Sequence, residues 1–463
     1  MQVSEKMTPT ELRATVGLAS IYGLRMLGMF LILPIFAVYA EQLEGSNHTL
    51  IGLALGAYGL MQVVLQLPFG MASDKYGRKK LIYLGLLLFA IGSVIAAMSQ
   101  DIYLVILGRA IQGAGAISAV VTALVADSTR EEHRTKAMAM IGATIGLTFA
   151  ISLVAGPIFN RWIGVSGIFW MTGILAILAM LVVKFAVPDP LSSQFHSDAQ
   201  TAPELIKDVL KDTQLLRLNF GTFCLHGAQM AMFVVVPFAL TETRGLDVNH
   251  HWQVYLPVLV VSFLLMIPAI IYAEKRAKLK PVFIAAVALM LIAQLVFAFS
   301  IHQFWGIVVS LLVYFVAFNI LEASLPSLIS KLSPAAAKGT AMGVHNTAQS
   351  FGMFVGAAMG GVLSQHLGYS AVFMFCALLM LIWLGLAFGM KTPPSVKTKM
   401  YHIDTVDSAE ADALAASIAS QAGVYEATAI AREHLLIVKM DNQQSQESQA
   451  QLERTIVKLI GSE

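Results

Sequence analysis

The sequence predicts an all-α polytopic membrane protein of twelve transmembrane helices in two six-helix halves, followed by a small α/β domain. Three observations carry this. Apolar residues make up 57% of the chain and charged residues 13%, with a mean hydropathy of +0.72 that soluble domains do not approach. Apolar stretches recur at spanning length, and the basic residues fall in alternate loops.

In chain order the expected spans are residues 16–40, 50–72, 81–98, 102–126, 138–162, 167–187, 218–240, 254–273, 281–299, 304–329, 341–363 and 371–389. At about 1.5 Å per residue each suits a hydrocarbon core roughly 30 Å thick. Continuous apolar runs of this length exclude the alternating ten-residue signal of a membrane barrel. Lys75, Arg78, Lys79 and Lys80; Arg130, Arg134 and Lys136; Lys207 and Lys211; Lys275, Arg276, Lys278 and Lys280; and Lys331 and Lys338 occupy alternate loops, against Arg161 and Arg244 in the others. Both termini are therefore expected in the cytoplasm, with the first span retained rather than cleaved as a signal peptide. The net charge of +2 follows from this loop bias, so no nucleic-acid partner is expected. Cys224 and Cys376 lie inside expected spans and read as core filler, with no metal cluster or disulfide framework.

The chain repeats itself. "PFGMASDKYGRKK" at 68–80 returns as "PAIIYAEKRAKLK" at 268–280, aligning Asp74 with Glu274, Lys75 with Lys275 and Arg78 with Lys278. Residues 136–164 answer 340–368 in the same way, pairing Ala137 with Ala341 and Met138 with Met342. The implied organisation is 1–188 for one half, 189–217 for a linker, 218–390 for the second half, 391–398 for a second linker and 399–463 for a soluble domain. Within the first linker Leu205, Ile206, Val209 and Leu210 have helical spacing, suiting a short helix on the membrane surface.

Gly70-x-x-x-Asp74-Lys75-x-Gly77-Arg78-Lys79-Lys80, set between spans two and three of a twelve-span chain, resembles the signature loop of the major facilitator superfamily. "GRAIQGAGA", with Arg109, Gln112, Gly113 and Gly115, resembles a second signature of that family on helix four. A third, typical of its drug/proton antiporters, survives only as Gly156 and Pro157, because Asn160 and Arg161 stand where a glycine pair is expected. The resemblance covers roughly residues 10–392 and implies the major facilitator fold in a bacterial inner membrane. It implies helix eleven as the partner of Asp74 in a conformational switch.

The residues support such a switch: a carboxylate at a helix end sits well against another helix's amino terminus. Gly70 would permit close approach, Gly77 a tight turn, and Arg78 would pair with Asp127 at the end of helix four. A plain basic loop is the alternative; it accounts for the lysines but for neither the glycines nor the aspartate spacing.

Ionisable groups inside a bilayer are costly and hence functional candidates. Here they are Arg25, Arg109, His226, Glu322 and His345. Arg25, His226 and Glu322 lie about eight to ten residues from their basic ends, roughly 12 to 15 Å deep. The resemblance places their helices, with helix four, around a central cavity. Each also has a plainer reading: Arg25 snorkels to the interface, and His226 packs against a backbone carbonyl. Glu322 must be protonated or find a cation. Gln112 and Asn319 complete the candidate cavity set, Asn319 one turn from Glu322.

After Met390 a proline-bearing linker leads to a polar segment reading strand, helix, strand, strand, helix. Asp407 with Glu410 resembles a capping box, Ala411, Leu414, Ala415 and Ile418 fit one helix face, and Leu452, Ile456, Leu459 and Ile460 another. The order resembles a ferredoxin-like module similar to heavy-metal-associated domains, yet it holds no cysteine, which excludes Cys-x-x-Cys metal binding. An unknown ligand or partner of this domain is expected. The reading is of a monomeric secondary transporter without cofactor or bound metal, moving a small molecule against protons, with lipid as its surroundings. A non-transporting sensor and a proton-coupled uptake carrier are the alternatives. No nucleotide-binding loop or catalytic constellation supports an enzyme.

Overall fold

The computed structural model describes residues 7–189, 200–276, 278–334, 337–392, 396–403, 407–431, 434–441 and 446–460. Helix α1, Pro9–Phe30, opens on a capping box: Thr8 Oγ1 accepts from the Glu11 amide at 3.2 Å, and Glu11 accepts from the Thr8 amide at 2.7 Å. The first span breaks before Pro34 and continues as α2, Leu33–Ala40. Spans two and three are α3, His48–Tyr76, and α4, Arg78–Met98. Gly77 turns the chain between them at φ 99°, a conformation open to glycine.

Span four is α5, Ile102–Ala114, followed by α6, Ser118–Ser128. Spans five and six form the single segment α7, Glu131–Phe185, interrupted where Gly164 adopts φ 67°. The second half comprises α9, Thr213–Arg244; α10, Trp252–Lys275; α11, Leu279–Ser300; α12, Phe304–Leu332; α13, Lys338–Leu367; and α14, Tyr369–Phe388. The short α8, Pro203–Lys211, precedes them. It is not simply a surface helix: Val209 is buried in the main core and Leu205 packs on it, while Leu210 stays exposed. Residues 190–199 of the linker lie outside the described residues.

Among the described residues ten helical segments are long and apolar enough to cross a membrane, and one of them, Lys136–Phe185, is long enough to do so twice around Gly164. The remaining span, α13, is rich in glycine and polar residues because it lies inside the bundle. A Cβ on Gly352 would meet Phe223 O of α9 at 2.3 Å, and one on Gly356 would meet Gly227 O at 2.0 Å. On its other side a Cβ on Gly361 would meet His48 O of α3 at 2.4 Å, and one on Gly52 would meet Ala357 O at 2.3 Å. Small residues at both faces bring three backbones together.

These contacts close the two halves at the face opposite the basic loops. There Thr49 donates to Gln365 Oε1 from its amide at 3.0 Å and its hydroxyl at 2.6 Å. The His48 ring lies parallel to Phe238, 4.9 Å between centroids. Asn160, in the place where the antiporter signature has glycine, donates to Asn249 Oδ1 at 2.8 Å. Toward the basic face Val64 and Met71 of α3 and Phe351 of α13 are exposed.

The carboxyl-terminal unit contains β1, Val396–His402; α15, Ser408–Ala419; β2, Val424–Ile430; β3, Leu435–Asp441; and α16, Gln446–Ile460. Its antiparallel sheet has the order β1-β3-β2, with Leu435 opposite both His402 and Ile430. Central β3 is buried along its length: Leu436, Val438 and Met440 meet Ala411, Ile418 and Ile456 of the helices, while Ile437 meets Met400. Leu459, expected on the buried face, is exposed. Asp407 caps α15 by accepting from the Ala409 amide at 3.0 Å. The unit touches the bundle through Lys439, whose ammonium donates to Ser333 O at 2.7 Å and pairs with Glu426. Ser333 caps α12, so this cation lies at a helix carboxyl terminus.

Replacing Gly361 with Val is expected to force α13 from α3 and cost about 1–3 kcal/mol of overpacking. Electron double resonance between labels at Asn47 and His366 should then report a longer distance; an unchanged distance would show that this contact does not hold the face closed.

Candidate functional site

At the basic face the α3–α4 turn builds a charged network. Arg78 Nε donates to Asp127 Oδ2 at 3.2 Å, and its NH1 donates to Ser73 Oγ at 2.7 Å and to Asp74 Oδ1. The Arg78 and Asp127 side chains are 3% and 0% exposed, whereas Asp74 is 49% exposed. The geometry therefore binds α3, α4 and α6 within one half. Among the described contacts none joins Asp74 to α13, so the partner implied by the resemblance is not engaged in this conformation. Nor does Gly70 meet a close backbone here: a Cβ on it would stand an ordinary 3.5 Å from Ala119 Cβ. Lys79 of the same turn donates to Val187 O at 2.7 Å and pairs with Asp189 at 2.7 Å, tying the turn to the end of span six.

Deeper in the bundle the candidate residues separate into two groups. In the second half Glu322 Oε2 lies 3.3 Å from His226 Nε2, the carboxylate side chain 43% exposed and the imidazole 4%. His226 Nδ1 is 3.0 Å from Thr222 O, and Gln349 Nε2 is 2.8 Å from His226 Nε2. Because a carbonyl can only accept, Nδ1 carries a proton, and Nε2 of a neutral ring is then a bare acceptor. A carboxylate beside a bare acceptor makes no hydrogen bond. The His226–Glu322 contact is thus bonded only when it holds a proton, on the ring or on the carboxyl. Thr222 also bridges to His345, its hydroxyl 3.0 Å from Nδ1.

In the first half Arg25 NH2 donates to Tyr58 OH at 2.5 Å and its NH1 to Ser118 Oγ at 3.1 Å. Arg109 NH1 donates to Gln112 Oε1 at 2.9 Å, and Gln112 Nε2 to Ser93 Oγ at 2.8 Å. The Tyr58 ring faces both cations, 5.2 Å from Arg109 Cζ and 5.9 Å from Arg25 Cζ. Arg25 shares a level with Glu322 in sequence but has no ion pair to it here. Asn319 donates to Ser262 Oγ of α10 at 3.1 Å and staples two helices.

Tyr58, Ser93, Ser118 and Thr222 carry no charge, so the sequence offered no signal for them beyond polarity in an apolar span. Phe149 of α7 was equally silent. Its ring lies 5.1 Å from Phe30 and 6.1 Å from Phe318, forming an aromatic seam between the halves, and Phe318 in turn meets His226 at 6.1 Å.

Two helical halves of a repeated chain, joined by close contacts at one face and holding buried charge between spanning helices, have the build of a membrane transporter. The family model of the Major Facilitator Superfamily matches residues 18–356 and 260–401, and the chain belongs to that family. It is 44% identical over 437 residues to the inner membrane transport protein YajR of Escherichia coli (strain K12), covering 94% of this chain and 96% of the relative. It is 27% identical over 385 residues to multidrug resistance protein 2 of Bacillus subtilis (strain 168), covering 79% and 92%. Its fold is similar to the crystal structure of a bacterial homologue of the human lysosomal transporter Spinster in an inward-facing and occupied conformation. That match has a TM-score of 0.69 at 12% identity, covering 83% of this chain and 97% of the other.

Asp127→Asn takes the charge from a buried pair and is expected to cost about 3 kcal/mol. Asp74→Asn, at an exposed position, should cost within about 1 kcal/mol while slowing the conformational cycle. Thermal denaturation in detergent compares the two, and equal losses would show that the buried pair does not dominate.

Proposed function

We propose that this carrier exports a small molecule in exchange for protons, by alternating access in a bacterial inner membrane, with both termini cytoplasmic. The observation that carries the reading is the His226–Glu322 contact, which needs a proton to be bonded and whose carboxylate is accessible while its imidazole is buried. Rocking of the halves would expose this pair to each side in turn, so that proton binding and release bias which face is open. The clustering of lysine and arginine in alternate loops supports a cytoplasmic position for the face that carries them. The multidrug relative supports export, and the high identity to an inner membrane transport protein supports the location.

The Asp74–Arg78–Asp127 network serves as the switch in this reading, with Gly77 shaping its turn. The carboxyl-terminal unit is a ferredoxin-like module that modulates the monomeric carrier, supported by the Lys439 contact to the cap of α12. Truncation after Thr392 should then leave a folded, inserted bundle with an altered rate; loss of insertion would make the unit part of the core.

In everted vesicles carrying a pH-sensitive dye, a panel of candidate substrates is expected to trigger proton release through the wild type. Glu322→Gln should abolish this release and leave at most a pH-insensitive exchange, while His226→Ala should move the pH profile. An unchanged ratio of protons to substrate in Glu322→Gln would place coupling elsewhere.

A further inference from the structure

We propose that Arg25 and Arg109 form a binding site for the anionic group of the transported molecule, which is an organic anion with an apolar ring system. The proposal deepens the carrier reading and rests on it for the transport of what is bound. It does not depend on proton coupling.

Both guanidinium groups are 1% exposed, on helices of the same half, and their acceptors are neutral: Tyr58 OH, Ser118 Oγ and Gln112 Oε1. Among the described residues neither has a carboxylate partner, and each leaves its Nε buried without an acceptor. Two other buried cations have carboxylate partners. Arg78 is held by Asp127 and Asp74, and Lys439 by Glu426. A buried guanidinium without a counter-charge is unfavourable, and two facing one ring add mutual repulsion. An anion reaching both guanidinium groups beside the Tyr58 ring would relieve both costs. Their planar forks suit a carboxylate, sulfonate or phosphonate.

The charges at mid-depth also select against cations. Two guanidinium groups stand opposite a single carboxylate, Glu322, which is itself engaged by His226. In a low-dielectric cavity that excess attracts anions and repels organic cations. The cover over the site is apolar: Met26 and Phe30 of its own half and Met353 of the other pack on the cluster of Met29, Tyr58 and Phe89. Methionine side chains have three rotatable bonds and polarisable sulfur, so they can swing aside for a ligand and pack on its ring. Met353 belongs to the opposite half, and separation of the halves would therefore uncover the arginines.

The test is ligand-dependent thermal stabilisation of the purified full-length protein in detergent, without any gradient. The probes are 2-naphthoate, the neutral 2-naphthamide, tetraphenylphosphonium, chloride and inorganic phosphate. The expected result is saturable stabilisation by 2-naphthoate alone, with Arg25→Gln and Arg109→Gln each weakening its apparent affinity at least tenfold. If a glutamine variant does not fold, Arg25→Lys and Arg109→Lys, which keep the charge but lose the planar fork, should show a smaller loss of affinity. Equal or stronger stabilisation by the amide or the phosphonium ion, a full effect from the inorganic anions, no response to 2-naphthoate, or undiminished affinity in the arginine variants would each overturn the proposal. Because no proton movement is measured, failure here leaves the coupling role of Glu322 standing, and failure of coupling leaves the anion site standing.

Discussion

The approach of α13 to both α3 and α9 is set by glycines whose missing Cβ atoms leave room for a neighbouring carbonyl. Gly352 and Gly356 face α9, and Gly361 meets Gly52 and His48 of α3. In a bilayer no hydrophobic driving force separates helix–helix from helix–lipid contact, so association depends on such close packing and on hydrogen bonds. One helix therefore joins a scaffold contact within its own half to a contact between halves. The polar ties at the same end, Thr49 to Gln365 and Asn160 to Asn249, lie beside this seam. Their geometry follows from how near the backbones come.

The two halves share a repeat but hold different chemistry at mid-depth. The first keeps its cations behind Tyr58 among neutral acceptors, and the second keeps a carboxylate with two histidines around Thr222. Between them runs the Phe30, Phe149 and Phe318 seam, which separates the groups with apolar rings. Among the described mid-depth groups no ion pair crosses between the halves. At the basic face the buried Arg78–Asp127 pair remains within the first half, leaving Asp74 half-exposed and free of the second.

Much of the fold was legible in one dimension, because spanning a bilayer demands about twenty apolar residues and leaves the charges to the loops. Gly77 announced its turn through its place between Tyr76 and Arg78, and φ 99° bears out the need for glycine there. The order of elements after Met390 was readable from alternation and capping at Asp407. Other features were not. The spacing of Asn319 from Glu322 did not reveal its partner, Ser262 on α10. Arg25 matched Glu322 in depth, yet depth says nothing about azimuth, and it faces Tyr58 instead.

By itself the sequence determined the apolar spans and which few residues would be ionisable within them, since each follows from length, composition and the cost of charge in hydrocarbon. Only the tertiary structure decided which of those residues meet. Partners such as Thr222 and Tyr58 are uncharged and far away in the chain, and the glycine contacts of α13 that bring the helices into register depend on matching surfaces no single segment encodes.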